Sequence, residues 1–254
     1  MMTTDSGFKI VIPARYGSTR LPAKPLISLA DKPMIQHVYE CALKTPADDI
    51  LVATDHEAIY EAVKNFGGAV CMTSTAHRSG TDRIAEVAEQ QGWDDEVVVV
   101  NLQGDEPMTP PENITQVACA LAEHPEAGIA TLCLQEPYAG CSQDPNKVKV
   151  VRDYQGYALY FSRAPIPWKR DPADKDVPAW VHVGIYAYRV SFLRQYTQMS
   201  PCALETVEQL EQLRALWHGI RIFVDEAHQQ PGLSVDTLAD KALAEALIAQ
   251  RNET

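Results

Sequence analysis

The chain has 254 residues, of which 46% are hydrophobic, and a formal net charge of −12. That apolar content suffices for one large domain or two small ones and excludes a mostly disordered chain. The acidic balance, with an isoelectric point near 5.0, excludes an extended nucleic-acid-binding surface, because phosphate backbones are held chiefly through basic patches.

Met1 to Gly7 carry neither a basic leader region nor an apolar one, and no run approaches the ~18 apolar residues of a membrane span. The expectation is a soluble cytoplasmic protein without a membrane partner. Phe8 to Ile12 then read as a short buried strand. The loop that follows, Ile12 to Leu26, holds Arg15, Arg20 and Lys24, with Gly17 and Ser18 permitting a tight turn. Cations and free N–H groups at the carboxyl end of a strand suit a phosphorylated ligand, and in open α/β sheets ligands bind at that end.

Pro33 to Leu43 predicts a helix with proline in its first turn, Ile50 to Thr54 a strand, and Asp55 to Phe66 a second helix closed by Gly67 and Gly68. Ala69 to Cys71 reads as a strand and Thr81 to Gln91 as a helix. Glu96 to Leu102, with four consecutive valines, predicts a strand buried on both faces. Strands alternating with helices indicate parallel βαβ units. Strands are expected again at Gly128–Leu134, Lys147–Val151, Gly156–Phe161 and His182–Tyr188, which implies a mixed sheet or an inserted β arm. Ala203 to Trp217 predicts one amphipathic helix, with Val207, Leu210, Leu213 and Trp217 on its apolar side and Glu211 and Gln212 on its polar side. A strand at Ile220–Val224 and a helix from Thr237 to about Gln250 complete the chain. One continuous domain, 1–254, with a β-rich excursion around 135–190, is the simplest organisation.

Six cysteines are dispersed without a CxxC pair, a pattern of reduced thiols. Asp105 sits where the valine strand ends and is either part of an ordinary acidic turn or a carboxylate placed for Mg²⁺, which takes one or two protein carboxylates with phosphate oxygens and water. Gly104 permits close backbone approach, and Gln103 offers a donor and an acceptor. Asp236, just before the last helix, is either a second metal carboxylate or an ordinary N-cap. His77 to Arg83 could read a nucleobase or ribose. Equally, Thr81 could be an N-cap, with Asp82 complementing the helix dipole and Arg83 solvated. Arg163, at a strand end, fits either a substrate carboxylate or a surface ion pair. His182 and Tyr186, four apart on a strand, share a face and either line a pocket or pack in a core.

Taken in order, IPARYGSTRLPAKPL, VATDHEAI, HRSGTDR, VNLQGDEPM, YALYFSRAPIPW, HVGIYAYR, LEQLRALWHG and VDT resemble the 3-deoxy-manno-octulosonate cytidylyltransferase (CMP-Kdo synthetase) family along nearly the whole chain. The resemblance implies a three-layer α/β/α nucleotidyltransferase fold, with a mixed, mainly parallel sheet and a β-rich dimerisation excursion. It also implies a homodimer that requires Mg²⁺ and makes CMP-Kdo and pyrophosphate from CTP and the sugar acid Kdo for lipopolysaccharide inner core synthesis. The same reaction on the 8-amino analogue of Kdo is the alternative. The implied catalytic residues are Arg15, Lys24, Asp105 and Asp236, with both aspartates as metal carboxylates. Ala14, Arg15, Arg20, Lys24, Ser79, Gly80, Thr81, Arg83 and Gln103 would hold CTP. Gln103, Arg163, His182, Tyr186, Glu211 and Gln212 would surround the sugar acid. Three positions depart from the family pattern: Ala23 stands where glycine is common, Val181 where related members carry arginine, and Ser234 where glycine is usual.

Overall fold

A computed structural model describes residues 7–17, 21–77, 79–171 and 178–252. Arg20 and Arg78 therefore lie outside the described residues. Strand β1 (Lys9–Ala14) leads through a 3₁₀ turn at Lys24–Leu26 to a hairpin of β2 (Ser28–Leu29) and β3 (Lys32–Pro33). Helix α1 (Met34–Ala42), β4 (Asp49–Thr54), α2 (Glu57–Asn65), β5 (Val70–Met72), α3 (Gly80–Gln91) and β6 (Val98–Asn101) follow. The second half contains α4 (Pro111–Glu123), β7 (Ile129–Pro137), α5 (Tyr138–Cys141), β8 (Lys149–Arg152), β9 (Ala158–Ser162) and β10 (Pro178–Arg189). It ends with α6 (Val190–Tyr196), α7 (Ala203–Glu208), α8 (Gln212–Trp217), β11 (Ile222–Glu226) and α9 (Leu238–Asn252).

The main sheet runs β11-β7-β10-β6-β1-β4-β5, with β8 and β9 attached to β10. β1 is parallel to both β4 and β6, whereas β10 is antiparallel to β6 and β7. The sheet is therefore mixed and mainly parallel. Alternation along the strands builds a core on each face. Ile10, Ile12, Val98 and Val100 face α1, α2 and α4 through Ile35, Val38, Ile59, Ile114 and Leu121. Val11 and Val99 face α3, α6 and α8 through Ile84, Val87, Phe192, Leu193 and Leu213. Three layers follow directly from a sheet whose two faces are both apolar.

The structure revises several expectations. Helices α4 and α6 were not anticipated; α4 opens at Pro111, where proline's missing N–H costs nothing because the first turn has no acceptor for it. β10 runs from Pro178, earlier than expected, and lies inside the main sheet, so only the β8–β9 ribbon stands off it. The single helix expected at 203–217 is broken, because Gln209 adopts a left-handed conformation (φ 53°). Val207 and Trp217 are consequently exposed, not buried, while Leu210 and Leu213 enter the core.

Candidate functional site

Because β4 and β5 lie on one side of β1 and β6 on the other, the chain reverses its direction of travel across the sheet at β1/β6. A crevice opens at the carboxyl ends of such strands. The loops leaving them nearly touch: a Cβ on Gly104 would lie 2.9 Å from the Pro13 carbonyl oxygen. Any larger residue would push the Asp105 loop away from β1. Between them is a cleft of about 290 Å³ lined by Ala14, Arg15, Lys24, Gln103, Asp105 and Asp236, with Ser79, Gly80 and Arg83 on the facing wall.

Lys24 is buried at the cleft floor. Its Nζ donates to Asp105 Oδ2 at 2.6 Å and to Asp236 Oδ1 at 2.7 Å. The two carboxylates thus converge on one cation, and the backbone enforces it: Val235 N donates to the Asp105 carbonyl at 3.0 Å. Gly232 fits against Met108, whose carbonyl oxygen a Cβ there would strike. Asp236 is not the N-cap of α9. Thr237 Oγ1 accepts from Asp240 N, and the Asp240 carboxylate accepts from the N–H groups of Asp236 and Thr237, a reciprocal cap. The Asp236 carboxylate is left to turn toward Lys24.

Ala23 precedes Lys24 in a left-handed conformation, φ 51° and ψ 36°. This is the region glycine enters without cost and alanine does not. Beside Asp105, burial and the neighbouring carboxylate push the Glu106 carboxyl up to about 7. No group of three or more His, Cys, Asp or Glu that could hold a metal occurs among the described residues. Two carboxylates are nonetheless the protein share that Mg²⁺ takes when phosphate and water supply the remaining oxygens. Asp105 and Asp236 fit that ion and would be its holders.

On the facing wall, Ser79, not Thr81, caps α3 by accepting from Asp82 N. Arg83 is not solvated: it is 3% exposed, donates to Asp55 Oδ2 at 2.7 Å and also donates to Thr73 Oγ1. Asp55 additionally accepts from Tyr16 N at 3.4 Å, and the Tyr16 ring stacks on His56 with centroids 3.7 Å apart. The loop after β1 and the start of α3 are therefore tied to one carboxylate.

Behind the mouth lies a second chamber of about 230 Å³, sharing Gly80, Gln103 and Glu211 with it. Thr81, Asn101, Tyr186, Tyr188, Tyr196 and Gln212 also line it. The break at Gln209 is what brings Glu211 and Gln212 here, so their expected solvated face is a pocket wall. Arg163 helps hold that break: Nε donates to the Glu208 carbonyl at 2.7 Å and Nη2 to the Gln209 carbonyl at 3.3 Å. Its backbone N donates to Glu208 Oε2 at 2.9 Å, and buried Lys149 donates to the Arg163 carbonyl at 2.6 Å. Arg163 lines neither cavity, and among the described residues its guanidinium donates to backbone carbonyls. These bonds are not the surface ion pair that was one of its two expected roles.

His182 also stands outside both linings. Its Nε2 is 2.9 Å from Thr131 Oγ1, which itself donates to the Ile185 carbonyl at 2.7 Å, so Nε2 carries the proton and donates. Burial pushes the imidazole down to about 3, and it is neutral. It packs on Tyr186, centroids 5.3 Å apart, and Tyr186 is the member of the pair that reaches the chamber. Val181 packs with Cys141 and Ala179, an apolar setting. Burial raises the Glu211 carboxyl above its ordinary range and Tyr186 well above its own; Thr81 Oγ1 donates to Glu211 Oε2 at 3.3 Å. No cysteine lines either cavity, and burial pushes Cys71 up to about 11 and Cys133 up to about 12. Sequence reasoning missed Asn101, Tyr188 and Tyr196. Tyr188 was within reach, since residues two apart on a strand share a face.

A family model described as Cytidylyltransferase matches residues 9–222. The 3-deoxy-manno-octulosonate cytidylyltransferase of Hahella chejuensis is 54% identical over 96% of this chain and 99% of that protein. The enzyme of that name from Thioalkalivibrio sulfidiphilus is 53% identical over 95% of this chain and 98% of its own. Among solved structures, a CMP:2-keto-3-deoxy-manno-octonic acid synthetase complexed with CTP superposes with a TM-score of 0.90 at 44% identity, covering 97% of this chain and all of that one. A cytidylyltransferase from Leptospira borgpetersenii shares the fold, with a TM-score of 0.63 at 17% identity, over 96% of this chain and 87% of that one.

Proposed function

The chain belongs to the cytidylyltransferase family, and from that premise we propose that it activates 3-deoxy-manno-octulosonate with CTP, giving CMP-Kdo and pyrophosphate. The relatives over nearly full length carry this substrate in their names, which favours Kdo over its 8-amino analogue. The product class is an activated sugar donor for lipopolysaccharide assembly. The single observation that carries the reading is the shared wall: a mouth holding Lys24, Asp105 and Asp236 opens through Gly80, Gln103 and Glu211 into a polar, aromatic chamber. Two substrates can meet there at one phosphorus.

In this reading the triphosphate lies in the mouth. Ala14, Ser79, Gly80 and Thr81 surround the cytidine, and Arg15 and Lys24 face the phosphates; Arg20, outside the described residues, is assigned to the triphosphate by the sequence resemblance alone. Gln103, Tyr186, Glu211 and Gln212 bind the sugar acid, while Arg163 and His182 act on it through Glu208–Gln209 and Tyr186. Arg83 shapes the cytidine wall through Asp55. The anomeric oxygen forms a bond to the α-phosphorus as the bond to the β-phosphate oxygen breaks; the hydroxyl proton is lost and pyrophosphate leaves. Little covalent chemistry is asked of the protein, so positioning and charge stabilisation supply the acceleration. Mg²⁺ held by Asp105 and Asp236 would offset phosphate charge and favour ionisation of the attacking hydroxyl. Lys24, already between those carboxylates, keeps them apart from one another's charge and directs an N–H toward incoming phosphate. Both substrates are anionic in a protein of net charge −12, so local cations are needed to bring them together.

We extend the proposal to a cytoplasmic homodimer. No helix among the described residues is long and apolar enough to cross a membrane, no disulfide joins the described cysteines, and CTP is the co-substrate. Leu159 on β9, Trp168 and Trp217 are exposed apolar side chains that a second copy would cover. The test of function is pyrophosphate release with CTP, Mg²⁺ and a panel of Kdo, 8-amino-Kdo and sialic acid. Release with Kdo is expected; release only with another acid would replace the substrate assignment.

A further inference from the structure

Two buried side-chain polar atoms lack a hydrogen-bond partner among the described residues: the Tyr196 hydroxyl and the Gln212 amide nitrogen. Buried polar groups are normally satisfied, and an exception calls for a ligand, a water or a functional account. Both residues line the inner chamber and neither lines the mouth. Tyr196 is 2% exposed. Its ring is fixed, with the Arg214 guanidinium carbon 4.6 Å from the ring centroid and Phe192 at 5.7 Å; Arg214 is in turn anchored on Glu205. The hydroxyl therefore cannot swing away to find a partner without disrupting that stack. Burial and the nearby Glu211 carboxylate raise its pKa, so it keeps its proton.

We infer that Tyr196 is a specificity-determining residue of the acceptor chamber, hydrogen-bonding a hydroxyl of the sugar acid remote from its anomeric carbon. The inference rests on the proposed reaction, which puts the anomeric oxygen at the shared wall of Gly80, Gln103 and Glu211, near the nucleotide. The rest of the sugar must then extend inward, away from the mouth, to where Tyr196 and Gln212 wait. A phenol O–H and an amide N–H set among Ile129, Leu210 and Ala215 match a polyhydroxylated chain with an apolar carbon skeleton. A site built to hydrogen-bond a hydroxyl rejects an analogue that lacks it, because its own buried groups are then left unpaired.

The experiment is steady-state pyrophosphate release by the full-length protein and by Tyr196→Phe, with CTP and with Kdo or its monodeoxy analogues. Removing only the hydroxyl should raise the KM for Kdo by about tenfold while leaving the KM for CTP within about twofold, a split that general damage to the fold would not produce. One monodeoxy analogue should weaken the wild type similarly and penalise Tyr196→Phe no further. An unchanged KM for Kdo in the variant, or equal penalties from every analogue in both proteins, would overturn the inference while leaving the proposed reaction standing. Were the variant not to fold, a wild type indifferent to every analogue would overturn it alone. No turnover of Kdo by the wild type would instead remove the proposed reaction and this inference together.

Discussion

Lys24 and Asp236 are separated by 212 positions in the chain and by 2.7 Å in the cleft. With Asp105 on the other side of the same nitrogen, they bring the first loop, the loop after β6 and the segment before α9 to one point. Neutralising either carboxylate should cripple phosphoryl transfer without unfolding the protein, because both side chains are about a third exposed. Asp105→Asn and Asp236→Asn are each expected to lower kcat by about 10²–10³-fold, with melting temperatures within a few degrees of wild type. Near-normal kcat at saturating Mg²⁺ would remove the carboxylate from the machinery.

Ala23 carries a left-handed backbone immediately before Lys24. Glycine is free of the Cβ strain that costs an alanine about 1–2 kcal/mol there, and returns part of that gain through greater freedom in the unfolded chain, about 0.4–1 kcal/mol. Ala23→Gly should therefore stabilise the protein by about 0.5–1 kcal/mol, read as a higher denaturant midpoint at unchanged slope. A lower midpoint would show that the strain is relieved elsewhere.

The cleft could be read from sequence as far as local signals reached. An apolar strand followed by glycine and charge located Lys24 and Asp105, and the alternating core of β1 and β6 was visible in the valine and isoleucine runs. Tertiary contacts decided the rest. The turn at Gln209 has neither glycine nor proline; carbonyls bound by Arg163 hold it, and Glu208 ties the ribbon to the helix. Periodicity alone therefore placed Glu211 and Gln212 in solvent. Local sequence leaves Asp236 open between cap and site; the family resemblance chooses the site, and in the structure Asp240 is the carboxylate that serves the helix end.

Arg83 and Asp55 form a largely buried pair that also anchors the backbone of Tyr16. Removing one partner of such a pair leaves a charge stranded, at a cost of about 3 kcal/mol. Asp55→Asn should lose about that much stability by chemical denaturation. Below its melting range it should raise the KM for CTP more than the KM for the sugar acid, because both elements it ties face the mouth. Equal effects on the two KM values would contradict this division of the cleft.

Burial holds His182 neutral down to about pH 3, whereas in the unfolded chain it titrates near its ordinary 6.5. The unfolded state therefore takes up the proton first on acidification, and stability from this group, complete above pH 6.5, is lost as pH falls toward 3. Between pH 7 and pH 5 the loss is about 2 kcal/mol. His182→Gln cannot titrate, so the stability gap between wild type and variant should narrow by about that amount over the interval. A gap independent of pH would show that the imidazole is not held neutral.

The most direct test of the two-compartment cleft is phosphorus NMR of one sample containing the protein, CTP, Mg²⁺ and Kdo. The three CTP resonances should give way to one phosphodiester signal and to pyrophosphate in equal amounts, only while the sugar acid is present. Pyrophosphate or orthophosphate formed at the same rate without sugar acid, or no phosphodiester with it, would rule out transfer between two substrates at the shared wall.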